Sequence, residues 1–324
     1  MMQENTPQGM PTGSAKRRFG RWILLAFIIL VVFVLVVMFI NSRKPDRLFL
    51  KKADSKVKGT TFILVNQELV KQMMENWLPN DLFWPTIFLD NMPNHQIGQL
   101  EVVRYNVRVL RDNLSRMRTT DKLDPNAEAA FTALSHDPYK WWFPSAESRW
   151  ELGYQNLGSF YQNLLTGKSH FYPRADNLVQ LLDQYASLMG GVNTRLINAP
   201  RDIRKTLSIE KEKQNNAGGP QMVDIDIPWY KIDDNFYYAQ GVAYALYESF
   251  KAIKVDFKDV LADKNSMELV DKILEVLGRC DFEPLIVFNG DPASIFANHS
   301  LNLSGLFNDA RQKTNSLIVS LTQG

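Results

Sequence analysis

The sequence predicts a mainly all-α protein in which an N-terminal transmembrane helix precedes a multi-helix bundle. The first observation is a run of nineteen consecutive apolar residues, 22–40, without a charge, glycine or proline. The second is that apolar residues beyond this run recur at alternating steps of three and four, the spacing of an amphipathic helix. Strand patterns are limited to two short runs, 60–65 and 285–288, which leave room for no more than a minor β element.

The apolar run is long enough to cross a bilayer. At about 1.5 Å per residue, residues 22–40 form roughly 28 Å of helix, close to a hydrocarbon core of about 30 Å. Residues 1–21 are polar and end in a basic cluster, which predicts a disordered cytoplasmic tail. Residues 41–58 form a basic juxtamembrane segment, so the charge count alone does not fix the topology. We expect the N-terminus inside, because long domains translocate largely regardless of charge.

A permanent anchor in a bacterial inner membrane, with the body in the periplasm, fits the sequence best. The apolar run exceeds the roughly seven to fifteen residues of a signal peptide, and no Ala-x-Ala cleavage site follows it. Cys280 is the single cysteine, so no intrachain disulfide forms, whereas an animal extracytoplasmic domain usually has several. We expect Cys280 to be a small buried apolar residue.

The net charge of +2 conceals an uneven distribution along the chain. The first 58 residues hold 11 of the 37 Lys and Arg, so the remainder carries 26 basic against 32 acidic residues, a net of −6. The basic residues that flank the apolar run are therefore interpreted as membrane-surface charge. An acidic main body argues against a nucleic-acid partner.

Helices are predicted throughout the rest of the chain. Two shorter candidates are residues 66–77, with Asn66 as a possible N-cap, and residues 126–134. Asp233 and Asp234 can cap another helix, and Ser266 can cap residues 267–277. The clearest apolar stripes are Leu100, Val103, Val107, Leu110, Leu114 and Met117; Trp150, Tyr154, Leu157, Tyr161 and Leu164; Ala175, Leu178, Leu182, Tyr185, Met189 and Val192; and Leu303, Phe307, Ala310, Thr314, Leu317 and Leu321.

Residues 206–222 interrupt this helical pattern. They are rich in Lys, Glu, Asn and Gly, a composition typical of a linker or a mobile loop. The sequence therefore predicts a helical domain over residues 59–205 and a second helical lobe over residues 223–324.

Sequence motifs assign no catalytic, cofactor-binding or metal-binding residue. Gly167-Lys168-Ser169 resembles the end of a phosphate-binding loop, but Gln162 stands where that loop requires glycine, so a helix C-cap at Gly167 is favoured. The four histidines lack a second His or Cys at the local spacing of a metal site. Asp233 and Asp234 lack the twelve-residue loop of a calcium site, and helix capping explains them.

The most unusual local feature is a group of three large aromatic residues between two prolines. Trp141, Trp142 and Phe143 lie between Pro138 and Pro144, before a Ser145 that can cap the next helix. Such a loop can offer a rigid aromatic surface to a glycan, a peptide or a lipid headgroup, so these three are candidate partner-binding residues. The interpretation that the pattern favours is instead a buried plug at one end of the bundle, and the cluster at residues 82–85 is interpreted in the same way.

One segment also carries a family resemblance. Together with the basic tail, the apolar run and the helical body, residues 140–154 (KWWFPSAESRWELGY) resemble a family of membrane-anchored proteobacterial proteins known only as a domain of unknown function. The resemblance covers roughly residue 41 to the end of the sequence. It implies a bacterial origin and an envelope setting, and it transfers no functional residue onto this chain.

Two functions follow as hypotheses. The first is a single-pass envelope protein whose periplasmic body acts as a scaffold or adaptor by binding a protein or cell-wall partner, with residues 22–40 in the lipid bilayer. The second is a membrane-tethered enzyme that acts on lipid or peptidoglycan intermediates. A homo-oligomer is compatible with either. A cavity with converging carboxylates or histidines would favour the enzyme, whereas an exposed apolar surface would favour binding.

Overall fold

The computed structural model describes residues 13–49, 56–82, 85–118, 120–197, 201–205, 222–226, 232–284, 287 and 298–323. These residues form an all-α bundle, as predicted, with one small hairpin. The helices are α1 (Gly13–Asn41), α2 (Thr60–Glu75), α3 (Asn91–Val109), α4 (Pro125–Leu134), α5 (Ala146–Leu165), α6 (Ala175–Ile197), α7 (Ile232–Asp256), α8 (Lys258–Asp263), α9 (Met267–Arg279) and α10 (His299–Gln323). A 3-10 turn, Thr86–Phe88, precedes α3, and a π-helical turn, Leu110–Leu114, follows it.

Helix α1 contains the predicted apolar run. Within it, Arg21–Asn41 is long and apolar enough to cross a membrane, and no side chain of its apolar window is fully buried. Among the described residues, this is the one helix with that property. The helix begins at Gly13, so the prediction of a disordered tail over 1–21 is wrong for residues 13–21; these residues include no proline that would stop a helix. Residues 1–12 lie outside the described part.

Helix α2 corrects two predictions. Residues 60–65, one of the two candidate runs for a minor β element, form its first turns, and Asn66 lies inside the helix rather than capping it. Its cap comes from far along the chain, because the carboxylate of Asp256 accepts a 2.7 Å hydrogen bond from the Phe62 backbone N–H. The β-branched residues that suggest a strand are instead buried in a helix, where packing overrides their weak intrinsic preference.

The centre of the bundle is the crossing of α3 and α7. A Cβ atom on Gly98 would lie 2.1 Å from the Tyr238 carbonyl oxygen, and one on Gly241 would lie 1.9 Å from the His95 carbonyl oxygen. The two backbones approach this closely because both residues lack a side chain. Helix α10 packs against α6 and α9 beside this crossing.

Helices on both sides of residues 206–221 contribute to one hydrophobic core. It includes Phe62 and Leu100 from the first predicted segment, and Phe236, Phe250 and Phe307 from the second. Strands β1 (Arg201–Lys205) and β2 (Met222–Asp226) pair antiparallel, with Arg201 opposite Asp226 and Lys205 opposite Met222. Met222, the last residue of the predicted linker, therefore belongs to β2, and residues 206–221 lie outside the described part. The second predicted strand, 285–288, also lies outside it except for residue 287.

The clearest stripes form the predicted helices. Helix α5 begins after Ser145, whose hydroxyl accepts a hydrogen bond from the Ser148 N–H, and α6 follows its predicted span. Helix α4 begins at Pro125, with Asp124 as its N-cap. The first stripe extends through α3 into the π-helical turn, but it ends there, since Met117 is exposed.

A candidate binding surface beside the apolar helix

The predicted aromatic plug is exposed. Trp141, Trp142 and Phe143 are 54 %, 67 % and 92 % accessible to solvent, so the interpretation as a buried plug is wrong. The corresponding interior position is filled instead by Trp77 and Trp150, whose rings meet edge to face with centroids 5.5 Å apart. Because this pair already fills that part of the core, the loop aromatics stay at the surface. Of the second cluster, residues 83 and 84 lie outside the described part.

Hydrogen bonds hold the base of the aromatic loop, defined as residues 137–145. The Trp77 indole N–H donates to the Pro138 carbonyl at 3.0 Å, and the Asn80 side-chain amide donates to the Lys140 carbonyl at 3.3 Å. The Ala146 backbone N–H closes the loop with a 2.8 Å bond to the same Lys140 carbonyl. At the tip, the rings of Trp141 and Trp142 stack edge to face at 5.1 Å. The backbone is therefore fixed, while the aromatic side chains remain available to a partner.

The aromatic loop lies at the end of the body where α1 ends. Asn76, the residue after α2, donates its side-chain amide to the Asn41 side-chain oxygen at 2.7 Å. Its neighbour Trp77 contacts the loop as described above. Two short links therefore connect the last residue of the apolar helix to the loop backbone.

The basic segment after α1 is bound to the body. Lys44 pairs with Glu283 at 3.1 Å, Arg47 with Asp281 at 3.3 Å, and Lys58 with Asp259 at 2.8 Å. The Arg47 guanidinium also lies 4.0 Å from the centre of the Tyr247 ring. For these three cations, the interpretation as free membrane-surface charge is corrected, because acidic side chains of the body neutralise them. Residues 51–55 lie outside the described part.

Comparison with known proteins identifies the family. The family described as "Uncharacterized protein conserved in bacteria (DUF2333)" matches residues 15–324, which include α1 and the whole body. The chain belongs to the DUF2333 family. The predicted resemblance to a bacterial domain of unknown function is thereby confirmed, and the match extends further towards the N-terminus than predicted. No curated protein and no solved structure matches the chain.

The cavities of this DUF2333 member contain ion pairs. One of them, of about 320 Å³, is lined by Asp112 and Asp176 together with arginines. Asp112 accepts a 2.7 Å hydrogen bond from Arg111, and Asp176 pairs with Arg174. Both carboxylates of this cavity are therefore engaged by arginine side chains.

A second cavity, of about 180 Å³, lies beside the end of α1 and is lined by Ser42, Lys44, His95 and Glu283 among others. Burial, with a contribution from the Lys44 charge, lowers the pKa of His95 to about 3, so this imidazole is neutral. Its Nδ1 atom has no hydrogen-bond partner among the residues that the structure describes. The cavity therefore presents a neutral imidazole and a lysine paired with a glutamate, together with the polar side chains of Ser42, Asn91 and Tyr237.

One acidic cluster joins two helix N-termini. Carboxylate oxygens of Asp90, Asp233 and Asp234 lie within 4.8 Å of one another. Asp90 caps α3 by accepting from the Asn91 N–H at 2.9 Å, and Asn94 donates to Asp234 at 2.9 Å. Burial and the charge of Asp90 raise the pKa of Asp233. Asp90 is the N-cap of α3. Asp233 and Asp234, predicted to cap a helix, lie instead inside the first turn of α7, which begins at Ile232, and acidic residues there are favourable at the positive end of the helix dipole.

The remaining sequence candidates have structural roles. Cys280 is buried as expected, and burial raises the pKa of its thiol to about 12, which makes it unreactive at neutral pH. Gly167 follows the end of α5 with a φ angle of 73°, the left-handed conformation of a C-cap. Its N–H donates to the Leu164 carbonyl at 3.3 Å, so the C-cap prediction is confirmed.

Proposed function

We propose that this DUF2333 member is a single-pass bacterial inner-membrane protein with a cytoplasmic N-terminus and a periplasmic helical body. The body acts as a scaffold or adaptor, and the exposed side chains of Trp141, Trp142 and Phe143 contact a protein or cell-wall partner. The observation that carries the proposal is the exposure of three large aromatics on a hydrogen-bonded loop. Aromatic side chains of this kind supply most of the binding energy at many interfaces.

The contact between α1 and the body supports a retained anchor over a cleaved signal sequence. Asn41, the last residue of α1, bonds to Asn76 of the body, and the following segment is held by ion pairs through Lys44 and Arg47. Tyr244 reinforces this segment by donating its hydroxyl to the Asp46 carbonyl at 2.8 Å. Removal of α1 would cut the chain next to these contacts.

Tethering is the proposed mechanism. An anchor confines the body to a layer next to the membrane, which raises its effective concentration towards other envelope components without any new contact. The aromatic loop then needs only modest intrinsic affinity. A loop at the α1 end of the body is well placed for a partner that lies close to the membrane.

Site-specific crosslinking in living cells tests the proposal. A photoreactive amino acid replaces Trp142 in the full chain, and the matched control carries it at Val255, which is also apolar and exposed. Val255 is next to Asp256, which bonds to Phe62 near the start of α2. Phe62 lies fourteen residues, or about 21 Å along the helix axis, from Asn76, the residue that contacts the end of α1. The control position is therefore far from the aromatic loop. We expect a discrete adduct from position 142 and none from position 255. An adduct that yields peptides of a second protein on mass spectrometry is a protein partner, and one that muramidase converts back to nearly the mass of the uncrosslinked chain is cell wall.

Two results would contradict the proposal. One is identical behaviour of positions 142 and 255, which would remove the loop as the contact. The other is a position-142 adduct that consists of lipid alone. Reporter fusions after Lys58 and at the C-terminus provide the topology control, and both should report the periplasm.

The alternative function is a membrane-tethered enzyme that acts on lipid or peptidoglycan intermediates. The cavity beside Ser42 favours it, because His95 presents an unpartnered Nδ1 atom next to the end of the anchor. Its volume of about 180 Å³ is below the roughly 300–1,000 Å³ of typical small-molecule sites, so the binding function is preferred. Turnover of a lipid-linked peptidoglycan precursor by the full chain, abolished in His95→Gln, would reverse this preference.

A further inference from the structure

A short apolar edge next to α1, formed by Leu82, Ile87 and Phe88, has no role in the function proposed above. The 3-10 turn Thr86–Phe88 has no buried residue, and its side chains Ile87 and Phe88 are 50 % and 66 % exposed. Leu82, just before it, is also exposed. Two large apolar residues on a three-residue turn are an unfavourable arrangement in water, which points to a partner outside the chain.

This edge packs directly against α1. Val34, Val37, Met38 and Asn41 are half-buried, and they lie on one face of α1 at steps of three, one and three residues. The other described side chains between residues 21 and 40 are exposed. The body therefore covers one stripe along the last two turns of the apolar helix.

The stripe has a defined depth if α1 spans the membrane. From Val34 to Asn41 is seven residues, or about 10 Å along the helix axis. The whole span Arg21–Asn41 measures about 30 Å, equal to the hydrocarbon thickness of a bilayer. The part of the body next to this stripe therefore reaches about 10 Å into the bilayer, measured from the Asn41 end of the span. Interfacial protein segments penetrate a bilayer by about 5–10 Å.

Two backbone N–H groups at the turn are hydrogen-bonded within the chain. The Phe88 N–H donates to the Pro85 carbonyl at 3.2 Å, and the Leu89 N–H donates to the Thr86 carbonyl at 2.9 Å. Pro85 has no N–H to satisfy. Paired backbone groups are a requirement for any segment that enters lipid, because unpaired ones are costly there.

We propose that the Thr86–Phe88 turn is a second membrane contact, inserted beside α1 into the interface of the periplasmic leaflet with Ile87 and Phe88 in lipid. The occupant of this edge is the phospholipid of the bilayer that α1 crosses. The inference rests on the proposed anchor and adds a fixed orientation. A body attached at two points cannot rotate freely about α1, and the aromatic loop, tied through Asn80 to the same region, is held at one height above the membrane.

Fluorescent labels at three positions test the proposal. The full chain is reconstituted into vesicles of phosphatidylethanolamine and phosphatidylglycerol, and an environment-sensitive fluorophore is attached to Phe88→Cys, Phe143→Cys or Val255→Cys. The native Cys280 is fully buried, and the unsubstituted chain measures its background labelling. We expect a blue-shifted label at position 88 that brominated phospholipids quench strongly, and an unquenched label at position 255. Equal, weak quenching at positions 88 and 255 would overturn the membrane contact.

The label at position 143 separates this proposal from the proposed function. Strong lipid quenching at 143 would mean that phospholipid covers the aromatic loop, which contradicts its role as a protein or cell-wall contact and leaves the turn as a membrane contact intact. Conversely, a protein or cell-wall crosslink at 142 with an unquenched label at 88 would support the proposed function and reject the second membrane contact.

A charge substitution provides an independent measurement. Phe88→Asp places a carboxylate at the proposed lipid contact, and Val255→Asp is the matched control; both positions are exposed, so the fold should survive, as circular dichroism would verify. We expect Phe88→Asp to remain in the membrane through α1 while its body rotates faster, measured as a lower anisotropy of a label on α10. Unchanged anisotropy relative to Val255→Asp would contradict the fixed orientation.

Discussion

Two regions of the molecule reverse the usual placement of polar and apolar side chains. The interior next to the α3–α7 crossing buries polar groups, and the aromatic loop exposes large apolar ones. In the interior, the fully buried Asn106 accepts a 2.5 Å hydrogen bond from the Tyr185 hydroxyl and donates to Asn66 and Ser249 at 2.8 Å each. At the loop, large aromatics such as Trp142 face solvent. The side-chain amide of Asn106 is stable inside because its oxygen and nitrogen both find partners within the chain. The loop aromatics stay exposed, and this exposure is the observation on which the proposed partner contact rests.

The interior depends on close backbone contact as well as on hydrogen bonds. Asn106 and Gly98 both lie on α3, and Ser249 and Gly241 both lie on α7. The glycines allow the two helices to approach, and the approach brings Asn106 within hydrogen-bond distance of Ser249. We therefore expect a single added methyl group in this interior to lower the free energy of unfolding, and the loss of a whole aromatic ring from the loop to leave it nearly unchanged.

The largest effect is expected from Gly98→Ala. The new methyl group would lie 2.1 Å from the Tyr238 carbonyl oxygen and 2.9 Å from the Val242 nitrogen, both backbone atoms that move only with α7. Separation of the two helices would also stretch the bond between Asn106 and Ser249. We expect the free energy of unfolding to fall by about 1–3 kcal/mol or more, measured by urea denaturation in detergent.

Gly191→Ala is the matched control for that variant. Gly191 lies inside α6, and a Cβ atom there would have no neighbour within 4 Å. Because alanine favours a helix over glycine, this control should gain about 0.5–1 kcal/mol. If both variants changed stability equally, the close α3–α7 contact would be disproved.

A smaller effect is expected from the protonation of the buried Asp256, which makes the free energy of unfolding depend on pH. Burial raises the pKa of Asp256 to about 6, although the Phe62 backbone N–H partly offsets this by favouring the charged carboxylate. Its ordinary value is 3.8. The folded protein therefore keeps this proton to a higher pH than the unfolded chain does. The contribution of Asp256 to stability is greatest below about pH 4, falls as the pH rises to about 6, and is constant above that.

The size of this pH effect follows from the shift. One pKa unit corresponds to about 1.4 kcal/mol, so we expect a loss of about 1–3 kcal/mol between pH 4 and pH 6 from this group. Other carboxylates also titrate in this range, so the measurement is the difference between the wild type and Asp256→Asn, each unfolded by urea at several pH values. A difference that does not change with pH would contradict the assigned protonation of Asp256.

The sequence predicted elements that local patterns define. The stripe from Trp150 to Leu164 has helical spacing, and Ser145 before it is a good N-cap, so α5 could be predicted to within one residue. Helix α2 could not, because its first turn is capped by Asp256, 194 residues away along the chain. The crossing of α3 and α7 could not be predicted either, because no local pattern marks Gly98 and Gly241 as the points where the two backbones meet.

The candidate site was predicted as residues but not as a surface. Three aromatics between prolines are compatible with a plug or with an exposed loop, and no local pattern distinguishes these states. The decision depends on Trp77 and Trp150, which occupy the interior and come from two distant parts of the sequence. The edge at Ile87 and Phe88 gave no periodic signal either, because three residues are too few to define one.

The smallest effect on stability is expected from the aromatic loop. Trp142→Ala removes a side chain that is largely exposed and leaves the bonds from Trp77 and Asn80 to the loop backbone in place. We expect a change of no more than about 0.5 kcal/mol in the free energy of unfolding. Gly98→Ala serves as the destabilised reference under the same conditions. A loss of more than about 1 kcal/mol would mean that the Trp142 ring contributes to the fold of the body, and the contrast between interior and loop would fail. The same variant can also be tested for binding, with the photoreactive residue placed at the neighbouring Phe143. If Trp142→Ala is stable but no longer crosslinks to the partner, the Trp142 ring contributes to binding and not to folding.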